Sequence, residues 1–160
     1  MAADSNSDSH ALYLSRVDVN EPLSTFSRHS FFLDDAEWPS VEHYFQAMKT
    51  EDPHWRERIR QAPHPKKARG LGRSRRLPLR ADWRQLRRVV MTRAVYIKCR
   101  THAEVADRLL ATGDLRLVES NAYDYFWGCG RDRRGLNTFG QVLMDVRAKL
   151  MKERSASSGL

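Results

Sequence analysis

Val41, Tyr44, Phe45 and Met48 recur at i, i+3, i+4 and i+7, the spacing of one buried helical face. Pro39 stops the extended segment before them, and Ser40 can cap the first backbone N–H groups of the new helix. The same period returns in Trp83, Leu86, Val90, Met91, Ala94 and Ile97, then in Val105, Ala106, Leu109 and Leu110, and finally in Phe139, Val142, Leu143, Val146 and Leu150. Asp82 with Gln85 and Thr101 with Glu104 read as capping boxes for the second and third of these helices. Gly113 closes the third, and Asn137 caps the last. Asp52-Pro53 has the form of an N-cap and first helical residue for a short helix over 54–62. Pro63 and Pro65 break it, and a further short helix over 66–71 ends at Gly70 and Gly72.

Strand-like segments are few. Residues 11–17 suit a first strand, Asp34-Asp35 suits a hairpin turn between 30–33 and 36–38, and 115–119 suits a last short strand. Pro22 marks a turn, followed by a polar loop, 23–27, with Phe26 as its aromatic anchor. The pattern predicts a mainly α (α+β) fold: a single compact helical domain over 11–153 with a small N-terminal β element. Residues 1–10, rich in Ser and Asp, read as a disordered leader, and 154–160 as a flexible tail.

Composition narrows the class. A chain of 160 residues, 41% hydrophobic and 30% charged, suffices for one domain with a real core. No run approaches the ~18 apolar residues of a membrane span. The first residues lack the basic-then-apolar order of a secretory signal, so the expectation is a cytoplasmic protein. Cys99 falls in a helical pattern and Cys129 between two glycines, without a zinc-type pairing. The six histidines show no metal-binding spacing, so neither a metal nor a cofactor is expected. The net charge is +8, and the excess is local: 56–93 holds fourteen Lys or Arg against Glu57 and Asp82. Such a concentration attracts polyanions or phosphorylated metabolites, and also suits a solvated face of arginine-rich helices. Gly70-Leu71-Gly72-Arg73 lacks the Gly-Lys-Ser/Thr ending of a phosphate loop.

Two stretches carry candidate chemistry. Glu42, Gln46 and Lys49 share one flank of the first helix, with Glu42 in the turn where the helix dipole favours a carboxylate; the same charges suit an ordinary amphipathic surface. Residues 121–137 mix Tyr123, Tyr125, Phe126 and Trp127 with glycines, Asp124 and arginines, and hold no helical or strand period. Such a loop offers a planar ring a stacking platform, or is simply pinned to the core by Phe126 and Trp127.

Taken together, several blocks resemble a known family. Trp38-Pro39-Ser40-Val41-Glu42-His43-Tyr44-Phe45-Gln46-Ala47-Met48-Lys49 is similar to the WPTSEHYFQAQK-type signature of the YbiA-like, or NADAR, proteins. Gly72-Arg73, Trp83, Val90-Met91, 109–113, Leu117-Val118-Glu119, Asp124 with 127–130, and 135–144 ending at Arg147 follow in the family's order. The resemblance spans about residues 24–150. It implies N-glycosidase activity: bacterial members hydrolyse the ribosylamine C–N bond of phosphorylated early riboflavin-pathway intermediates, and others in the wider family remove ADP-ribose from guanine. An ADP-ribose-binding role shares the same pocket. The main non-enzyme alternative is a basic nucleic-acid-binding module, which the 56–93 stretch would serve but for its shortage of interleaved aromatics and its lack of a binding motif.

Cleavage at an anomeric carbon passes through an oxocarbenium-like state and calls for negative charge near the sugar and a base for water. On that implied chemistry Glu42 and Asp124 are the catalytic pair, with their individual roles unassigned. Trp127, Tyr44 and Trp83 are candidates to stack on the base, and Arg73 and Lys49 to hold a phosphate. Lys98 and Asn137 rank below them, the first equally readable as snorkelling from a helix end and the second as a cap alone. The sequence departs from the family at Thr25, where an Asn is frequent, so a hydroxyl stands where an amide would offer both donor and acceptor.

Overall fold

The computed structural model describes residues 10–158; apart from His10, the expected leader lies outside the described residues. Three strands, β1 (Ala11–Leu14), β2 (Phe31–Leu33) and β3 (Ala36–Trp38), precede helices α1 (Val41–Ala47), α2 (Pro53–Arg60), α3 (Pro65–Gly72), α4 (Trp83–Thr101) and α5 (Ala103–Leu110). Strand β4 (Arg116–Glu119) and helix α6 (Thr138–Ser158) complete the order. The architecture is a helical domain with two small two-stranded sheets.

β2 and β3 pair antiparallel, with Phe31 opposite Trp38. Asp34 and Asp35 both have positive φ, 53° and 62°, the two left-handed positions that a tight hairpin turn demands. The other sheet joins sequence-distant strands: β1 runs parallel to β4, Leu12 beside Leu117, so the β component is not confined to the N-terminus.

α1 is the buried axis. All seven of its residues are buried, its N-cap Ser40 accepts from the His43 N–H, and α2, α3 and α4 pack around it. The His43 ring is fully enclosed, with Nδ1 2.7 Å from Ser40 Oγ and Nε2 2.9 Å from the Ala62 carbonyl. The carbonyl contact requires a proton on Nε2, so Nδ1 accepts from the serine hydroxyl. This neutral ring ties the start of α1 to the end of α2. Burial, its largest influence, keeps the His43 pKa below the ordinary value.

Three expected caps are absent. Asp82 makes no side-chain cap; its carboxylate takes Arg80 instead, at 2.7 Å. Thr101 is the last residue of α4, and its hydroxyl donates back to Ile97 O at 2.7 Å, leaving His102 to begin α5. Asn137 lies against Gly140 in the first turn of α6 but spends its amide on β4: Oδ1 accepts the Glu119 N–H at 2.8 Å and Nδ2 donates to Leu117 O at 2.9 Å. The first N–H groups of α6 are satisfied by carbonyls of the preceding loop, Thr138 by Phe126 and Phe139 by Trp127. The aromatic loop is thereby the cap of the helix that follows it. Gly128 and Gly135 allow this folding, since a Cβ on Gly135 would strike the backbone of 128–129 and one on Gly128 the Asn121 carbonyl at 2.8 Å. At the far end α6 continues to Ser158, through most of the segment read as a flexible tail, with Arg154 bridging to Asp107 at 2.6 Å.

Asn137→Ala strands the Glu119 N–H and the Leu117 carbonyl and puts alanine at a φ of +52°. The expected cost is about 2–4 kcal/mol, from two lost bonds and a left-handed non-glycine residue, read by chemical denaturation. A loss below about 1 kcal/mol would show that the clasp between β4 and α6 adds little.

Candidate functional site

One cavity of about 160 Å³ gathers Arg16, Glu42, Phe45, Gln46, Lys49, Arg69, Arg73, Trp83, Arg87, Met91, Asp124 and Trp127. Its walls come from both ends of the chain. α1 contributes Glu42, Phe45 and Gln46, with Lys49 just beyond its end; α3 contributes Arg69, with Arg73 as its C-cap. α4 supplies Trp83, Arg87 and Met91, and the loop after β4 supplies Asp124 and Trp127.

Glu42 is 2% exposed and fully engaged. It accepts from Thr25 Oγ1 at 2.7 Å, Gln46 Nε2 at 2.8 Å and Arg69 Nε at 3.1 Å. Burial is the largest influence on its carboxyl and pushes the pKa up; Arg69, the two neutral hydrogen bonds and Arg16 together outweigh it, and the pKa lies below the ordinary value. Glu42 is therefore ionised at neutral pH. Thr25, at the position where the family often has Asn, meets the carboxylate itself. Its hydroxyl also lies 3.1 Å from Arg16 O, but it has a single proton, and the shorter contact to the charged acceptor takes it.

Asp124 is held by its own loop. Oδ1 accepts the N–H groups of Phe126 and Trp127 at 3.0 and 2.7 Å, and Oδ2 pairs with Arg16 Nη2 at 3.2 Å. Burial is again the largest single influence and raises the pKa, yet the backbone bonds and Arg16 leave it below normal. Both carboxylates are anionic, so the resting pair provides charge and a base rather than an acid. Trp127 lies edge-on to Phe45, centroids 5.4 Å apart, and the Arg87 guanidinium sits 3.4 Å over the Phe126 ring.

Cations exceed anions, five to two, among the lining residues. Arg16 Nη1, Arg69 Nη2, Arg87 Nε and Gln46 Oε1 are buried and find no partner among the described residues. Buried polar atoms are nearly always satisfied, so these three donors and one acceptor are free to bond the polar groups of a ligand. Lys49 adds to them; burial, the largest influence, lowers its pKa to about 8. Among the described residues no cluster of three His, Cys, Asp or Glu could hold a metal ion.

Six of the nine expected site residues line the cavity: Glu42, Asp124, Trp127, Lys49, Arg73 and Trp83. Three do not. Tyr44 points toward the hairpin, where its hydroxyl donates to Asp34 Oδ2 at 2.7 Å. Asn137 is consumed by β4. Lys98 neither snorkels nor reaches the cavity: it is 2% exposed and bonds to Ser24 O and Ser27 Oγ. The expectation missed Arg69, Arg87 and Arg16. Arg69 precedes Arg73 by four residues and Arg87 lies four from both Trp83 and Met91, a helical spacing that would have placed each beside its neighbour. Arg16, in the turn after β1, has no such signal.

Comparison with known proteins places this arrangement. Residues 8–151 match the NADAR domain. The N-glycosidase Npun_R5314 of Nostoc punctiforme is 42% identical over 131 residues, 80% of this chain and 84% of that protein. The N-glycosidase YbiA of Escherichia coli is 38% identical over 142 residues, 89% of each. Its NMR structure superposes with a TM-score of 0.81 over 90% of this chain and 86% of its own, at 37% identity. The riboflavin biosynthesis protein PYRR of Zea mays is 36% identical over 156 residues, 88% of this chain but 25% of that longer protein.

Sulfate keeps one charge state from pH 6 to 9 and so probes the cavity's cations alone. Its affinity, followed by calorimetry, is expected to fall severalfold as pH rises through about 8, where Lys49 loses its proton. In Lys49→Met the binding becomes weaker and flat with pH, because the arginines stay charged. A parental pH response in that variant would remove Lys49 from the anion site.

Proposed function

The chain belongs to the NADAR family, and from that premise we propose that it hydrolyses the C–N bond of phosphorylated ribosylamines arising early in the riboflavin pathway. It is an N-glycosidase, a hydrolase acting on N-glycosyl bonds of a small molecule, in keeping with its relatives' activity. The link to riboflavin chemistry is supported by the biosynthetic role named for its maize relative.

The observation that carries the finer reading is the cavity's charge inventory: two ionised carboxylates beside a surplus of guanidinium donors in one small space. A phosphate monoester brings about two negative charges and several acceptor oxygens, which matches the buried donors of Arg16, Arg69 and Arg87 together with Arg73 and Lys49. At 160 Å³ the space falls below the roughly 300 Å³ of pockets that enclose drug-sized ligands. It suits a ribosyl phosphate with its base near the Trp83 and Trp127 rings, and is tight for a whole ADP-ribose. As C1′–N breaks, positive charge develops on the ring oxygen and C1′, and fixed carboxylates stabilise it without reorganising. The bond's electron pair goes to the departing nitrogen; water adds to C1′ and its proton passes by way of a carboxylate to that nitrogen, so that ribose 5-phosphate and the neutral amine leave. Glu42 fits the base, since its oxygens are oriented by three different elements; Asp124, anchored by its loop, fits the fixed anion.

Two measurements check this. Glu42→Gln keeps shape and removes charge, and is expected to lower kcat by ~10²-fold or more with the fold intact by circular dichroism; near-parental turnover would remove Glu42 from the chemistry. Offering ribosylaminopyrimidine phosphate, its dephosphorylated form and ADP-ribosylated guanosine in parallel, with free base followed by mass spectrometry, sorts substrate class. The expected order places the phosphorylated ribosylamine first, with about 10²-fold lower kcat/KM for the dephosphorylated form on the loss of charged hydrogen bonds. A preference for ADP-ribosylated guanosine would overturn the assignment.

A further inference from the structure

Residues 23–27 form no regular element, yet Leu23, Ser24, Thr25, Phe26 and Ser27 are all buried. A buried loop must find partners for its polar groups outside itself. Here they come from an unusual source. Lys98, in the last turn of α4, is 2% exposed and sends its ammonium to Ser24 O at 2.8 Å and to Ser27 Oγ at 2.5 Å. Among the described residues no carboxylate lies within ion-pair distance of it, although an ammonium is costly to bury without one. Burial lowers its pKa to about 7, and with or without its extra proton the amine retains the two N–H groups that the two acceptors need.

Between the two residues Lys98 grips lies Thr25, which meets Glu42 twice. Its carbonyl accepts the Glu42 N–H at 3.0 Å, and its hydroxyl donates to the carboxylate at 2.7 Å. We propose that Lys98 is a positioning residue for Glu42: by holding Ser24 and Ser27 it fixes Thr25, and Thr25 fixes the carboxylate. Lys98 is not among the residues that line the cavity, and its hydrogen bonds reach Glu42 through this loop. The inference rests on Glu42 being the catalytic carboxylate, as argued above.

Lys98→Met keeps the stem and removes the donors. The expected result is a kcat about 10-fold to 10²-fold lower, as for a misplaced catalytic group, with KM within about twofold because the phosphate-binding cations are untouched. The Glu42 carboxyl, followed by ¹³C NMR and identified by its absence in Glu42→Gln, is expected to titrate at higher pH in Lys98→Met, having lost part of the Thr25 bond. Thr25→Val gives the same upward shift, and adding Lys98→Met to it shifts the midpoint no further, since the two act in one chain. Ser27→Ala, which removes only one acceptor and keeps the loop intact, is expected to lower kcat by a smaller factor, with KM again unchanged. Parental kcat and Glu42 midpoint in Lys98→Met, or in Ser27→Ala should the former not fold, overturn the proposal, as does an additive double variant. Turnover surviving in Glu42→Gln would instead refute the catalytic assignment and leave the titration result to judge the positioning role.

Discussion

A carboxylate buried in the first turn of a seven-residue helix is the constraint on which this molecule turns. An unpaired charge in that position costs several kcal/mol, and the helix dipole offsets only part of it. Glu42 is stabilised because three separate elements converge on it: the 23–27 loop through Thr25, α1 itself through Gln46, and α3 through Arg69. That convergence dictates packing. α3 must lie close enough to α1 for Arg69 to arrive, and Gly72 makes this possible, since a Cβ there would fall on the Gln46 side chain. The neutral His43 ring, bonded at both nitrogens, holds the same helix start from the other side.

The second carboxylate is held by the opposite end of the chain. Arg16 joins the two ends of the chain: its backbone N–H is taken by Glu119 of β4 and its guanidinium by Asp124. The parallel pairing of β1 with β4 brings these residues together across more than a hundred positions of sequence. The aromatic loop then completes the wall while its carbonyls cap α6, so a structural and a chemical duty fall on the same backbone. Glu119 reflects the crowding, burial raising its pKa above the ordinary value despite Arg16.

The surplus of arginine over acid in this cavity explains part of a basic composition that otherwise resembles a nucleic-acid binder. Arg69, Arg73 and Arg87 belong to the 56–93 stretch and face inward to the cavity. Others in that stretch, such as Arg60 with Glu57 and Arg80 with Asp82, make exposed ion pairs of the kind that contribute little to stability. The family's N-glycosidase chemistry and the cationic surplus of the cavity thus bear on the same small space.

Local physics was legible in the chain from the outset. The period of Val41, Tyr44, Phe45 and Met48, the Ser40 cap, the Asp34-Asp35 turn and the Asp52-Pro53 helix start all appear where spacing and backbone preference put them, because each depends on residues within a few positions. Glu42, Asp124 and Trp127 could be singled out by their motifs, though spacing alone left Glu42 indistinguishable from a solvated helix face. What tertiary structure alone decided was every assignment that depends on a distant partner. Asn137 looks like a cap until β4 takes its amide. Lys98 looks like a surface lysine until the 23–27 loop closes over it. Arg16 has no pattern at all until the β1–β4 pairing sets it beside Asp124. A side chain's propensity belongs to its neighbours in sequence, whereas its partner belongs to its neighbours in space, and the second outweighs the first wherever a polar group is buried.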